Sequence, residues 1–342
     1  MADRSSTERV SIVVVNFNGG EKLRACVDAM RATAPDAELI VVDNASTDGS
    51  ERAAEHRGVR LIRNAGNHGY AAALNDGTRV ARGEVLVFCN MDTVPQERWL
   101  EPLVEFLDRR PDAGAVNPLV VLHDGTHVNA AGQNIHVTGL GFNRGLDDPV
   151  DVYGTEPFEV SGIQGSAFAM LRRVYDEIRG LDASGFLYHE DVNVSWLLRL
   201  AGYRLYCLPA SRVAHDYFLS MYPEKFHLLE RNRVAMLLAY LRPLSIFFLS
   251  PLLLVTELMA WSYSLVRGPR FLAAKATSYG WVVRQRETIT ERRRLALRLR
   301  RVSDLRLLRQ FHWTYDWRQF GVLARERGES RRKPGGPLPL SR

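Results

Sequence analysis

Lysine is nearly missing from this 342-residue chain: Lys22, Lys225, Lys275 and Lys333 are the only four, and all other basic charge is arginine. Cysteine is equally sparse. Cys26, Cys89 and Cys207 lie far apart without a metal-ligand spacing, so neither a disulfide framework nor a zinc site is expected, and a reducing compartment fits. Residues 1–9 are polar, read as disordered, and lead into a strand without an apolar h-region, so no secretory signal is expected. The Gly-rich loop that would cradle a nucleoside triphosphate near the N-terminus is also absent, which argues against a sugar nucleotidyltransferase.

What is present is ordinary for a globular protein, with 46% apolar and 25% charged residues and enough length for a large α/β core plus an appendage. The net charge of +6 is unevenly placed: residues 281–342 carry +11, leaving −5 on residues 1–280. A basic tail on an acidic body points to an anionic partner, a phospholipid surface or a nucleic acid.

Residues 11–15, 39–42, 59–62 and 85–88 are short β-branched or apolar runs, and residues 21–33, the stretch through His56, and residues 70–82 between them have helical character. Strands alternating with helices predict a mainly parallel sheet covered on both faces, with ligands beyond the carboxyl ends of its strands. Asn16, Asp43, Asn67 and Asp92 all fall at such ends. Residues 100–108 read as a further helix. The Gly-rich stretch 128–161 reads as an irregular lid over a substrate, the plainer alternative being a solvated excursion. After Phe186-Leu187-Tyr188, Glu190 and Asp191 open an apolar helix that stops at Gly202. Acidic residues suit a helix N-terminus on electrostatic grounds alone, Asp43 is by itself a turn-former, and a lone His215 is most simply structural. Their recurrence at successive element ends favours chemistry.

The ordered set Val13-Val14-Val15-Asn16-Phe17-Asn18, Val41-Val42-Asp43-Asn44-x-Ser46-x-Asp48-Gly49-Ser50, Asn67-x-Gly69-Tyr70-x4-Asn75, Asn90-x-Asp92, Gly165-Ser166-x3-Met170, Glu190-Asp191 and His215 resembles glycosyltransferase family 2, in its rhamnosyltransferase-like branch. The resemblance spans residues 10–240 and implies an inverting enzyme of the GT-A fold. It implies that Asp92 and His215 ligate Mg²⁺ or Mn²⁺, that Asn16, Asp43, Asn67 and Asp92 bind a dTDP- or UDP-sugar donor, and that Asp191 is the general base with Glu190 shaping its surroundings. Asn90 stands where the family usually has the first acid of Asp-x-Asp, Asn193 where a second acid often follows the pair, and Leu197 near where the family often has an Arg. These departures bear on donor and acceptor, not on the reaction class.

Residues 244–266 are apolar with Glu257 as their only charge, long enough to cross a bilayer. One crossing would part a domain that uses cytosolic nucleotide sugar from a tail that prefers the same side. An in-plane or re-entrant helix broken near Pro251 avoids this, with a weaker return through residues 271–283. The expected organisation is therefore a glycosyltransferase domain over 10–240, apolar membrane-associated helices over 241–283, a basic helical region with Phe311, Trp313, Tyr315, Trp317 and Phe320 at headgroup level over 284–330, and a disordered tail over 331–342. The expected partners are a nucleotide sugar, a lipid-linked or polysaccharide acceptor and anionic lipid at the cytoplasmic face of a bacterial inner membrane, with no nucleic acid. The rivals are a polyprenyl-phosphate glycosyltransferase of the same fold and a nucleic-acid-binding protein using the basic aromatic tail.

Overall fold

The computed structural model describes residues 7–55, 58–216 and 220–325. The tail expected to be disordered over 331–342, the first six residues and the helix end expected at His56 lie outside the described residues.

The element order begins β1 (Val10–Asn16), α1 (Gly20–Thr33), β2 (Glu38–Asp43), β3 (Val59–Arg63), α2 (Tyr70–Val80), β4 (Val85–Asn90), β5 (Thr93–Pro95), α3 (Leu100–Arg109) and β6 (Ala113–Val121). The short strands β7 (Val128–Ala130), β8 (Gln133–Ile135), β9 (Gly141–Asn143) and β10 (Phe158–Glu159) follow, then β11 (Ala167–Leu171), α4 (Arg172–Glu177), α5 (Glu190–Leu200) and β12 (Arg204–His215). The chain continues through α6 (Pro223–Tyr240), α7 (Pro243–Arg267), α8 (Pro269–Arg284), α9 (Arg286–Leu299), α10 (Asp304–Leu308) and α11 (Trp317–Arg325).

The sheet runs β10-β12-β6-β11-β4-β1-β2-β3. β4, β1, β2 and β3 pair in parallel, as do β6 and β12, and β11 inserts antiparallel between β4 and β6. β1 reads as an uninterrupted apolar run because both its faces are covered: Ile12 and Val14 pack toward α1 and α3, Val13 and Val15 toward α2 and the opposite layer.

Two expectations about local structure are corrected. The helix expected before β3 is a single 3₁₀ turn, Ser50–Ala54, because too few residues separate the Asp43 turn from the next strand. Residues 128–161 are not an irregular lid. Val128, Ile135, Val137, Val150 and Val160 are buried in the main core, and the glycines serve tight reversals, with Gly132, Gly139 and Gly145 all at positive φ.

Beyond β12, helices α6 to α9 pack against one another and onto α5. The break expected at Pro251 does not occur, and α7 is one 25-residue helix. Proline deprives the Phe247 carbonyl of its helical donor, and the Ser250 hydroxyl donates to that carbonyl instead (2.7 Å). The charge expected to make α8 a weak return, Lys275, is buried and paired with Glu230 and Glu257, which also hold Arg233. The basic stretch after α8 is likewise not simply offered to an external anion. Arg292 pairs with Asp182, Arg300 with Asp304, Arg301 with Glu177, and Arg293 caps the Leu238 and Leu241 carbonyls. Phe311 is buried on Trp196 and Tyr315 stacks on His136, so of the five expected headgroup aromatics Trp313 and Trp317 are the ones exposed.

Candidate active site

Parallel register aligns Asn16 with Asp43 at the carboxyl ends of β1 and β2, and Val15 with Asn90 at the end of β4. This sets the polar ends of three strands side by side. Asn16 Nδ2 donates to Asp43 Oδ1 (2.7 Å), Ser46 Oγ (3.0 Å) and Ser50 Oγ (2.9 Å), and the Ser46 amide donates to Asp43 Oδ2 (3.1 Å). Asp43 is thus a turn-former at the end of β2, buried but held entirely by neutral donors. Asn16 Oδ1 is buried without a partner among the described residues. Asn67 meets this group through an intermediary: its Oδ1 accepts from Asn44 Nδ2 (2.8 Å) and from the Gly69 amide (3.0 Å). Asn44, buried beside Asp43, also accepts from Asn64 and the His68 amide, which makes it the hub that ties two loops.

Asp92 follows β4 in a tight turn. β5 then pairs antiparallel with the end of β12, placing His215 opposite Thr93. The result is His215 Nε2 at 3.3 Å from Asp92 Oδ1, brought together from residues 123 apart in sequence. His215 Nδ1 lies 3.1 Å from Asn129 Oδ1. With Nδ1 donating there, Nε2 presents its lone pair beside a carboxylate oxygen, an arrangement that a shared cation relieves and that matches the usual support of a ligating histidine. No third His, Cys, Asp or Glu joins them into a larger metal-binding group among the described residues. Two protein donors suit a cation that completes its shell with phosphate oxygens and water, as Mg²⁺ and Mn²⁺ do.

The acid pair opens α5 from a loop in which Phe186, Tyr188 and His189 all have positive φ, an expensive run for non-glycine residues. Asn232 of α6 holds it, its Nδ2 donating to the carbonyls of Gly185, Leu187 and Tyr188. Phe186 O in turn accepts the first amide of α2, from Tyr70. Gly69 has to be glycine, since a Cβ there would stand 2.0 Å from that same oxygen.

Asp191 is not merely a helix cap. Its Oδ1 accepts from the Val192 amide (2.8 Å), but Oδ2 turns toward Gln133 Nε2 (2.8 Å) and the Gly165 amide (3.2 Å). Burial raises its pKa despite these donors. Glu190 is raised further, to about 8, by burial and then by the charge of Asp191, and its Oε1 is buried without a partner among the described residues. At neutral pH Glu190 is therefore chiefly protonated.

Tyr70 connects the two halves of the site. Its hydroxyl donates to Gly165 O (3.0 Å), and burial pushes its pKa up. The Gly165 amide donates to Asp191 Oδ2 (3.2 Å) and Ser166 O accepts the Asn90 amide (2.9 Å), so the segment that Tyr70 holds bonds both the acid pair and the end of β4, two residues before Asp92. Gln133 and Asn129, the partners of Asp191 and His215, were not singled out by sequence reading. Both come from the Gly-rich stretch, whose short strands leave no periodicity to read.

Residues 11–179 match the model of Glycosyl transferase family 2. The chain is 28% identical over 235 residues to an N-acetylglucosaminyl-diphospho-decaprenol L-rhamnosyltransferase of Mycobacterium tuberculosis (strain ATCC 25618 / H37Rv), covering 61% of this chain and 76% of that protein. It is 31% identical over 222 residues to the O-antigen biosynthesis protein RfbC of Myxococcus xanthus, covering 61% of this chain and 17% of RfbC. Among solved structures, GalNAc-T7 with UDP, GalNAc and Mn²⁺ superposes with a TM-score of 0.56 at 22% identity, covering 68% of this chain and 48% of its own. The mannosyltransferase PcManGT from Pyrobaculum calidifontis, in complex with GDP-Man and Mn²⁺, gives 0.51 at 18% identity and 85% of both chains. These two likenesses establish the fold. This chain spans about half the length of GalNAc-T7 and a small part of RfbC.

Proposed function

Taking as premise that residues 11–179 are a glycosyltransferase family 2 domain and the protein a glycosyltransferase, we propose that it inverts the anomeric centre of a nucleoside-diphosphate sugar, rhamnose or a similar hexose, onto a hydroxyl of a lipid-linked or cell-surface glycan. The observation that carries this reading is the Gly165-Ser166 segment, which bonds Asp191 through the Gly165 amide and the end of β4, two residues before Asp92, through the Ser166 carbonyl. The diphosphate is assigned to the Asp92 side and the incoming hydroxyl to the Asp191 side. Asn16, Asp43 and Asn67 line the donor end.

Asp191 accepts the proton of the acceptor hydroxyl as its oxygen bonds to C1 and the nucleoside diphosphate departs from the opposite face. A single displacement needs one base. Glu190, protonated, spares Asp191 a neighbouring negative charge and offers a hydrogen-bond donor to the acceptor. Held by Asp92 and His215, Mg²⁺ or Mn²⁺ would neutralise charge gathering on the leaving diphosphate.

The same reading places the enzyme on the cytoplasmic face of a membrane, with α7 lying in the interface. The polarity of α7 is inverted relative to a helix of a soluble surface. Beside Leu249, its protein-facing side carries the polar Thr256, Glu257 and Ser264, while Leu244, Phe247, Phe248, Leu254, Leu258 and Leu265 project outward. An in-plane helix keeps both of its ends on one side. Replacing both Phe247 and Phe248 by Glu is expected to abolish co-sedimentation with anionic vesicles, and unchanged sedimentation of the double variant counts against the membrane assignment.

Transfer is tested by supplying labelled dTDP-rhamnose and UDP-sugars, with lipid-linked saccharide acceptors and Mg²⁺ or Mn²⁺. The expected product is lipid-extractable label of inverted anomeric configuration, lost on chelation. Retention of configuration, or transfer indifferent to chelation, contradicts the proposal.

A further inference from the structure

In the run Arg231-Asn232-Arg233 of α6, two residues have evident structural duties. Arg233 is buried and bonded to Glu230 and Glu257, and Asn232 clamps the loop before the acid pair. Arg231 differs. Its Nη2 donates to Gly185 O (3.1 Å), its Nε to Asn232 Oδ1 (3.4 Å), its Nη1 lies 3.5 Å from His227 Nε2, and its guanidinium stacks 4.3 Å over Trp281, which leaves one N–H on each Nη. His227 Nδ1 is taken by the Ala274 carbonyl (3.0 Å), so its Nε2 faces Arg231 with a lone pair and brings no negative charge.

The other well-buried arginines follow a common rule. Arg199 pairs with Glu159, Arg233 with Glu230, Arg292 with Asp182 and Arg300 with Asp304. Arg231 has no carboxylate partner among the described residues, and burial, with no acid to offset it, lowers its pKa to about 10. A half-buried cation without a counter-charge weakens the fold unless something else meets it. Two further cations lie alongside. Lys225 Nζ stands 5.1 Å over the ring of Tyr188, two residues before Glu190, and Arg284 lies three residues after Trp281 on α8, on the same face of that helix. A guanidinium fork with unspent donors, flanked by point charges beside an aromatic wall, matches a phosphate.

We propose that Arg231, flanked by Lys225 and Arg284, binds the phosphate of the lipid-linked acceptor, anchoring that substrate at the loop that leads into Glu190 and Asp191. This inference rests on the lipid-linked reading of the acceptor. The guanidinium is already tied to Gly185 O, so an arriving phosphate engages a group that touches the acid-pair loop directly.

Two measurements on the full-length protein test it. Trp281 lies against Arg231, so inorganic pyrophosphate added in excess EDTA, which removes the cation needed at the donor site, is expected to change tryptophan fluorescence. Arg231→Gln is expected to weaken that response by about tenfold or more, the worth of a charge-assisted contact. Arg231→Lys, which keeps the charge and loses the fork, should fall between, and guards against a Gln variant that folds poorly. Phosphatidylcholine vesicles doped with a polyprenyl phosphate are then compared with vesicles doped with phosphatidylglycerol. Arg231→Gln should lose retention on the first and keep it on the second. Equal loss on both assigns the contact to bulk lipid and overturns the proposal, as does a pyrophosphate response that Arg231→Gln leaves intact. If pyrophosphate binds through Arg231 but the wild type glycosylates no lipid-linked acceptor, the fault lies with the functional reading and not with the phosphate site.

Discussion

Replacing Asp191 by Asn probes both the chemistry and the geometry of the cleft. Both carboxylate oxygens accept from N–H groups: Oδ1 from Val192, Oδ2 from Gln133 and Gly165. An amide cannot accept on both sides. The least costly orientation directs its NH₂ toward Gln133, which can rotate its own amide so that Oε1, otherwise without a partner, accepts. The Gly165 N–H then faces a donor and is left unsatisfied, costing about 1–3 kcal/mol of stability. Removal of a buried charge offsets part of this, so the variant folds with a modest drop in Tm. Turnover behaves differently. Loss of a positioned base lowers the rate about 10²–10⁴-fold, or about 3–5 kcal/mol of transition-state stabilisation. The assay is initial-rate transfer at saturating donor, with thermal unfolding of the same samples. Wild-type transfer should also climb with pH through a range above that of an ordinary aspartate, because burial raises the Asp191 pKa. Near-wild-type turnover in Asp191→Asn would refute the reasoning. It would favour an acceptor that is already ionised, such as a polyprenyl phosphate.

Glu190→Gln tests the neighbouring acid through stability. A carboxyl near 4.5 when unfolded and about 8 when folded keeps a proton that the unfolded chain has released. Its contribution is therefore intact below pH 4.5 and declines toward pH 8, by at most about 1.4 kcal/mol per unit. Chemical denaturation across that range should show this decline, and the Gln variant should flatten it; identical slopes count against the assignment. Lys275→Met removes the ammonium shared by Glu230 and Glu257 and leaves Arg233 to balance both. Breaking such a group from one side costs about 3–5 kcal/mol. Adding Glu257→Gln should restore much of the lost Tm, and a double variant no better than the single would show that the charges are not coupled.

Much of the proposed donor half was legible in the sequence, because parallel strands buried on both faces read as unbroken apolar runs and their ends are marked by polar turns. Asn16, Asp43 and Asp92 sit where those runs stop. The acid pair was legible for a similar reason, at the head of an apolar helix. What the sequence withheld depends on long-range register. Gln133 reaches Asp191 across 58 residues and Asn129 reaches His215 across 86, from strands of three residues each that are too short for any period to appear. The continuity of α7 turned on one hydroxyl, Ser250, replacing the donor that Pro251 lacks. Net charge counts arginines without showing their partners: Asp182, Asp304 and Glu177 take up Arg292, Arg300 and Arg301 within the fold.

The central claim is that Asp92 and His215 jointly receive a cation carrying the donor diphosphate within reach of Asp191. Calorimetric titration of nucleoside diphosphates and their sugars, with and without Mn²⁺, against the wild type and Asp92→Asn tests it most directly. The account predicts binding that requires the metal and is lost in the variant. Binding of equal strength without Mn²⁺, undiminished in Asp92→Asn, would contradict it.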